Sequence, residues 1–223
     1  MKYKLIVFDF DGTLADTKRS IIETMKFVGN QFGLNNINES KIERLIGLPI
    51  ETSLKQVLQI SDNKINNAVQ LYRENYNNIA LATIRLFPNV KASLESLFKN
   101  NVILTVASNK GKEALIKILK EQNIYHLFLF VGGVEDCINK KPSPEIVNII
   151  LDKFSIQPSE CLVIGDTIYD IQMGQKAFSD TCAVTYGNNS EKELIQLSPQ
   201  FIINNFSEIL NILEIEATND DKK

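Results

Sequence analysis

The sequence predicts an α/β protein: a parallel sheet interleaved with helices and interrupted once by a helical insertion. Three observations carry this. Short apolar runs rich in β-branched and aromatic residues recur along the chain, and helix-spaced apolar patterns fill the gaps between most of them. One stretch, residues 16–85, keeps steps of three and four with no strand at all. Alternating strands and helices close into a parallel sheet covered on both faces.

Taken in order, Lys4–Phe10 reads as the first strand and Asp11-Gly12-Thr13 as its exit turn. The insertion follows, with Ile21, Met25, Val28 and Phe32 on one helical face and Ile65, Val69, Tyr72, Tyr76 and Ile79 on another. Within it Ser40 and Glu43 are spaced as a capping box, and Gly47-Leu48-Pro49 separates two short helices. Helical patterns return at Val90–Phe98, Lys112–Glu121 and Glu145–Phe154, and strands at Val102–Ala107, Leu127–Val131, Cys161–Gly165, Thr181–Tyr186 and Phe201–Asn204. Ser143 before Pro144 is placed to cap the third of these helices, and Ser190 with Glu193 forms another capping box. The expected organisation is a core of residues 1–15 and 86–214, a helical cap of 16–85 and a polar, disordered tail at 215–223.

A chain of 223 residues, at about 150 per domain, suits one core plus an insertion. With 44% apolar and 23% charged residues it matches ordinary globular proteins. Lys+Arg 24 against Asp+Glu 27, with no basic run, gives no footprint for a nucleic-acid polymer or an anionic membrane surface. Cys137, Cys161 and Cys182 are odd in number and lack metal or redox spacing, so they read as reduced thiols filling space. The apolar run Leu5–Phe8 is cut by Asp9, and no stretch approaches the ~18 apolar residues of a membrane span, so a cytoplasmic protein, monomeric or homodimeric, is expected. His126 stands alone, which excludes metal centres that need two histidines. Chemistry must rest on carboxylates, hydroxyls and lysine.

In parallel sheets ligands bind beyond the carboxyl ends of the strands. There this chain places Asp9-Phe10-Asp11-Gly12-Thr13 after strand one, Ser108-Asn109 after the next, and Gly165-Asp166 with Asp170 one helical turn further; Lys141 precedes the Pro142-Ser143-Pro144 turn. Asp9 and its neighbours taken alone fit a solvated turn, because Asp and Gly are common there. The set as a whole favours function: converging carboxylates repel unless a cation lies between them, and an oxygen-rich cluster without histidine suits Mg²⁺.

Through Asp9-x-Asp11-Gly12-Thr13-Leu14, Ser108 after a strand, Lys141-Pro142-x-Pro144 and Gly165-Asp166-x-x-x-Asp170, the sequence resembles the haloacid dehalogenase superfamily over residues 1 to about 210. The helical insertion, Val106–Lys110 and the Val184–Gly187 run resemble its phosphoglycolate phosphatase-like branch. The resemblance implies a Rossmann-like doubly wound sheet with an inserted helical cap. It implies a Mg²⁺-dependent phosphatase acting on a small phosphorylated metabolite, phosphoglycolate first and pyrophosphate or a nucleoside monophosphate next, through an aspartyl-phosphate. Asp9 would be the nucleophile and Asp11 the general acid. Mg²⁺ would be held by the Asp9 carboxylate, the Asp11 backbone carbonyl and Asp166, with Asp170 supporting from behind. Ser108, Thr13, Asn109 and Lys141 would bind the phosphoryl group, with Gly47 contacting substrate from the cap. Asn109 and Lys110 lie between a strand end and a helix N-terminus, where anions are favoured.

Asp11 argues for phosphoryl transfer over halide displacement, because halide needs no proton on leaving. The sugar phosphomutases of the superfamily carry a histidine and an arginine where this chain has Ile21 and Ile50. Lys18, Arg19 and Arg44 are charged cap residues within possible reach of a second anionic group, although such charges are more often simply solvated. Tyr72, Tyr76 and His126 read as packing or surface residues. Two other classes compete: a receiver-type phosphoacceptor module, which also uses strand-end aspartates, a hydroxyl and a lysine, and a binding protein on a degenerate phosphatase fold.

Overall fold

The structure, a computed structural model, describes residues 1–215, with the backbone alone at 80–82. Six parallel strands form the main sheet in the order β5-β4-β1-β6-β7-β8: β1 Leu5–Phe8, β4 Ile103–Ala107, β5 Phe130–Gly132, β6 Cys161–Gly165, β7 Asp180–Val184 and β8 Phe201–Ile203. The fully buried β1 explains why the sheet needs helices on both faces. Ile6 and Phe8 pack into one hydrophobic cluster, with Leu94, Leu115 and Leu119, while Leu5 and Val7 pack into a second, with Ile146, Ile150 and Met173. The chain fills the sheet outward from β1 on one side through β4 and β5, then returns to the other side through β6, β7 and β8. That reversal puts the crevice of a doubly wound sheet at the ends of β1, β4 and β6.

Between β1 and β4 lies the helical insertion: α1 Lys18–Gln31, α2 Glu39–Glu43, α3 Ile50–Leu58 and α4 Asp62–Thr83. Two short strands, β2 Ala15–Asp16 and β3 Arg85–Leu86, pair antiparallel at its entry and exit, so both crossings are held side by side. Two-residue strands have no period, which is why only the helices were visible in the sequence. Met25, Val28, Leu54 and Tyr76 join the same cluster as Phe8 and Phe10, so the insertion packs onto the core without a break in the apolar interior.

The remaining helices are α5 Val90–Lys99, α6 Lys112–Glu121, α7 Glu145–Phe154, α8 Ile168–Lys176, α9 Glu191–Ile195 and α10 Glu208–Ile212. Ser190 and Glu193 form the expected capping box of α9. Ser40 caps nothing: α2 begins earlier, and Asn38 Oδ1 accepts from the Lys41 N–H. The run from Leu127 is a strand only from Phe130, because Tyr125–Leu127 winds into a 3₁₀ turn. Ile215 is buried against the core after α10, and residues 216–223, most of the expected tail, lie outside the described residues. Among the described residues no helix is long and apolar enough to cross a membrane.

Candidate active site

The polar residues at the ends of β1, β4 and β6 converge. Asp9, first after β1, is buried, as are Asp11, Ser108, Asn109, Lys141, Asp166 and Asp170. Carboxylate oxygens of Asp9, Asp166 and Asp170 all lie within 4.8 Å of one another. Lys141 sits among them, its Nζ donating to Asp9 Oδ1 at 2.5 Å and to Asp170 Oδ1 at 2.6 Å. Burial alone would lower the Lys141 pKa, but Asp170 and Asp9 outweigh it and hold the ammonium charged.

Asp170 is spoken for on both oxygens. Its Oδ2 accepts from the Thr167 N–H at 3.0 Å and the Thr167 hydroxyl at 2.6 Å, a capping arrangement at the start of α8. Asp166 is held by three donors: the Thr13 hydroxyl at 2.9 Å on Oδ1, and the Asn188 N–H at 2.7 Å and amide at 2.8 Å on Oδ2. Asn188 also donates to the Asp11 carbonyl at 3.2 Å, which fixes that oxygen beside Asp166. Burial pushes Asp166 up to about 7, with Asp170 adding to the rise, and burial likewise pushes Asp9 well above the carboxylate range, against the pull of Lys141. Three buried carboxylates around one ammonium would, if all ionised, carry more negative charge than it balances, and burial together with this excess is why two of them hold their protons more tightly. An oxygen-rich cluster of this kind fits a hard divalent cation.

Asp11 points to different company. Lys110 Nζ lies 3.0 Å from Asp11 Oδ1 and 4.1 Å from the centre of the Tyr76 ring. The first is an ion pair by distance only, since Asp11 Oδ1 receives no aligned hydrogen bond. Asp9, Asp11, Ser108, Asn109 and Lys110 line a cavity of about 140 Å³ together with residues of all four insertion helices or their turns, among them Ile21, Ile42, Gly47, Ser53 and Tyr72.

Several expectations are placed differently by these contacts. Thr13 is fully buried, outside the cavity lining, and its hydroxyl steadies Asp166. Asn109 spends its amide on Gly47 O (2.8 Å) and its Oδ1 on the Lys141 N–H (3.2 Å), so it bridges insertion and core. Gly47 does line the cavity, with φ +97°. Lys18 and Arg19 line a separate cleft, where Arg19 pairs with Glu23, and Arg44 does not line the cavity over Asp9 and Asp11 either; among the described residues Arg73 is the insertion cation that does. His126 is exposed and away from the cavity lining. Tyr72 and Tyr76, read from spacing as packing, are buried but line the cavity and stack at 5.5 Å. Asn188 was missed: it lies four residues beyond β7, further from its strand end than Asp9 is from β1, and only a search of the whole loop after β7 would have found it.

Comparison with known proteins agrees with this geometry. A family model described as haloacid dehalogenase-like hydrolase matches residues 6–184. A protein of Vibrio vulnificus named phosphoglycolate phosphatase is 27% identical over 222 residues, covering 96% of this chain and 97% of its own. One of Oceanobacillus iheyensis named pyrophosphatase PpaX is 28% identical over 213 residues, covering 96% and 98%. A crystal structure from Haemophilus somnus, described as a predicted phosphoglycolate phosphatase, superposes with a TM-score of 0.87 at 26% identity, covering 96% of this chain and 99% of that one. With the doubly wound sheet, the strand-end acids and a family match across most of its length, this chain belongs to the haloacid dehalogenase-like hydrolases.

Proposed function

We propose that this hydrolase is a Mg²⁺-dependent phosphatase that cleaves a small phosphate monoester through a phosphorylated Asp9. The observation that carries the reading is the buried Asp9–Asp166–Asp170 cluster around Lys141, which, when ionised, holds more negative charge than Lys141 alone balances, with Asp9 lining the cavity beneath the insertion. Mg²⁺ would be held by the Asp9 carboxylate, the Asp11 carbonyl and Asp166, with Asp170 supporting. It would supply the positive charge that lets an anionic nucleophile approach an anionic phosphate.

The chain's own residues account for the rest. Asp9 attacks phosphorus while the bond to the leaving oxygen breaks, and Asp11 gives that oxygen its proton. Water then attacks the phosphorylated Asp9, Asp11 takes its proton, and phosphate leaves with the Asp9 carboxylate restored. Lys141 holds Asp9 in place and balances the phosphoryl charge, and the Ser108 hydroxyl, which already accepts from the Lys110 N–H at 3.2 Å, turns its own proton to a phosphoryl oxygen. The core of 1–15 and 86–214 with its 16–85 cap belongs to the same reading, supported by the β2–β3 ribbon at the junction. So does a cytoplasmic setting, supported by three free thiols.

On the names of its relatives, phosphoglycolate is the first substrate to test and pyrophosphate the second. The experiment is phosphate release with and without Mg²⁺, with Asp9→Asn as control. Mg²⁺-dependent release that vanishes in the variant is the expected result; release that persists in Asp9→Asn removes the nucleophile. A stable phospho-Asp9 that never turns over would favour the receiver-type reading instead.

A further inference from the structure

The cavity wall differs from what a second anionic group needs. Its insertion side is hydrocarbon: Ile21, Met25, Ile42, Leu45, Leu48 and Ile50 line it, and the stacked Tyr72 and Tyr76 add two rings. Among the described residues two cations line it, and both have a carboxylate partner: Lys110 with Asp11 at 3.0 Å, and Arg73 with Glu135 at 3.5 Å. The Arg73 pair is half-exposed and so screened by water, and Glu113 joins Glu135 in the lining as a further negative charge. A carboxylate pushed into such a wall loses hydration and gains no cation.

Two buried atoms in the same wall lack what they need. Among the described residues the Tyr76 hydroxyl and Asn77 Oδ1 have no hydrogen-bond partner, and both residues line the cavity. Buried polar groups are rarely left so unless something else completes them. Tyr76 can donate or accept and Asn77 Oδ1 can accept, which together suit a hydroxyl or amide on an uncharged group.

We infer that the cavity takes a phosphomonoester whose leaving group is uncharged and apolar-bodied, with a hydroxyl or amide that pairs with Tyr76 and Asn77. The inference rests on the phosphatase reading and sharpens it. It sets this chain apart from relatives named for phosphoglycolate, because the leaving group of that ester carries a carboxylate.

The test is kcat/KM of the full chain with Mg²⁺ on n-butyl phosphate, hydroxybutyl phosphate, phosphoglycolate and phosphorylated hydroxybutyrate, with Asp9→Asn as blank. The two uncharged leaving groups should exceed the two carboxylates by about tenfold or more. Tyr76→Phe removes the unpaired hydroxyl and keeps the ring under Lys110, and it should narrow the preference for hydroxybutyl over butyl phosphate by about threefold or more. Asp9-dependent turnover that favours either carboxylate overturns the inference and leaves the phosphatase reading intact. An unchanged hydroxybutyl preference in Tyr76→Phe removes Tyr76 from the recognition. Turnover of none of the four overturns the inference and leaves the phosphatase reading to the pyrophosphate assay.

Discussion

Asn109 donates from its side-chain amide to the Gly47 carbonyl at 2.8 Å, and its Oδ1 accepts from the backbone of Lys141 at 3.2 Å. One side chain therefore ties the turn before α3 to the segment that carries Lys141, the lysine held between Asp9 and Asp170. Closing a phosphatase cavity excludes water and fixes the reacting groups, and this pair of hydrogen bonds is a direct link between closure and Lys141.

Asn109→Ala should accordingly cost about 1–3 kcal/mol, because both hydrogen bonds go and the Gly47 carbonyl loses its partner. Activity should fall further than stability requires, by about tenfold or more in kcat/KM, since small misplacements of reacting groups are expensive. Asn109→Asp keeps an acceptor for Lys141 but turns a carboxylate oxygen toward the Gly47 carbonyl, so it should be the more damaging change to activity. Denaturant unfolding and steady-state kinetics on the three proteins decide it; an alanine variant as active as the parent would show that the latch is incidental.

The strand-end acids were legible because each sits within a few residues of a strand end, and Lys141 because it directly precedes the Pro142-Ser143-Pro144 turn that opens α7, so local pattern suffices for both. The partners that hold them were not. Asn188 reaches Asp166 and the Asp11 carbonyl from 22 and 177 residues away. Asn109 lay in the right place for phosphate, yet its amide is used up by Gly47, a contact set by how the insertion folds back. Tyr72 and Tyr76 have the spacing of core residues because they are buried; that the same faces line a cavity depends on what stands opposite. Sequence period reports burial, and it does not distinguish burial against protein from burial against a ligand.

Asp166 gives a pH prediction with a defined sign. Its carboxyl rises from 3.8 to about 7 in the folded, metal-free protein, chiefly through burial. Between those values the native state keeps a proton that the unfolded chain has lost, so stability is fully present below about pH 4 and falls as pH rises toward 7. The slope per proton is at most about 1.4 kcal/mol per pH unit, a loss of a few kcal/mol in all. Asp9, also raised, acts in the same direction. The melting temperature of metal-free protein should therefore drop across this window, and Asp166→Asn should flatten the drop even though its amide fits the Asn188 donors poorly. Mg²⁺ favours the ionised cluster, so its apparent affinity should climb as pH rises toward about 7, with protons released on binding, and the raised Asp9 works in the same direction. Metal-free stability that rises from pH 4 to 7 by the same amount in parent and variant would refute the assignment.

Gly12 tests whether the shape around Asp166 matters as much as its charge. The residue has φ +94°, and a Cβ built on it would lie 2.2 Å from Asp166 Oδ2 and 2.2 Å from the Asn188 amide nitrogen. Gly12→Ala thus carries two penalties, one for backbone conformation and one for pushing Asp166 or Asn188 aside. Gly33 separates them. It has φ +78°, and a Cβ added there would meet nothing within 4 Å, so Gly33→Ala carries the backbone penalty alone, about 1–2 kcal/mol. Gly12→Ala should lose more stability than that and should also weaken Mg²⁺ binding by about tenfold or more, the scale on which partners of metal ligands act. Gly33→Ala should bind Mg²⁺ like the parent. Calorimetric titration of both variants with Mg²⁺, beside their unfolding curves, reads the two effects apart. Equal Mg²⁺ affinity in the two would mean that Asp166 tolerates displacement, and that the tight fit of Gly12 against it serves the fold alone.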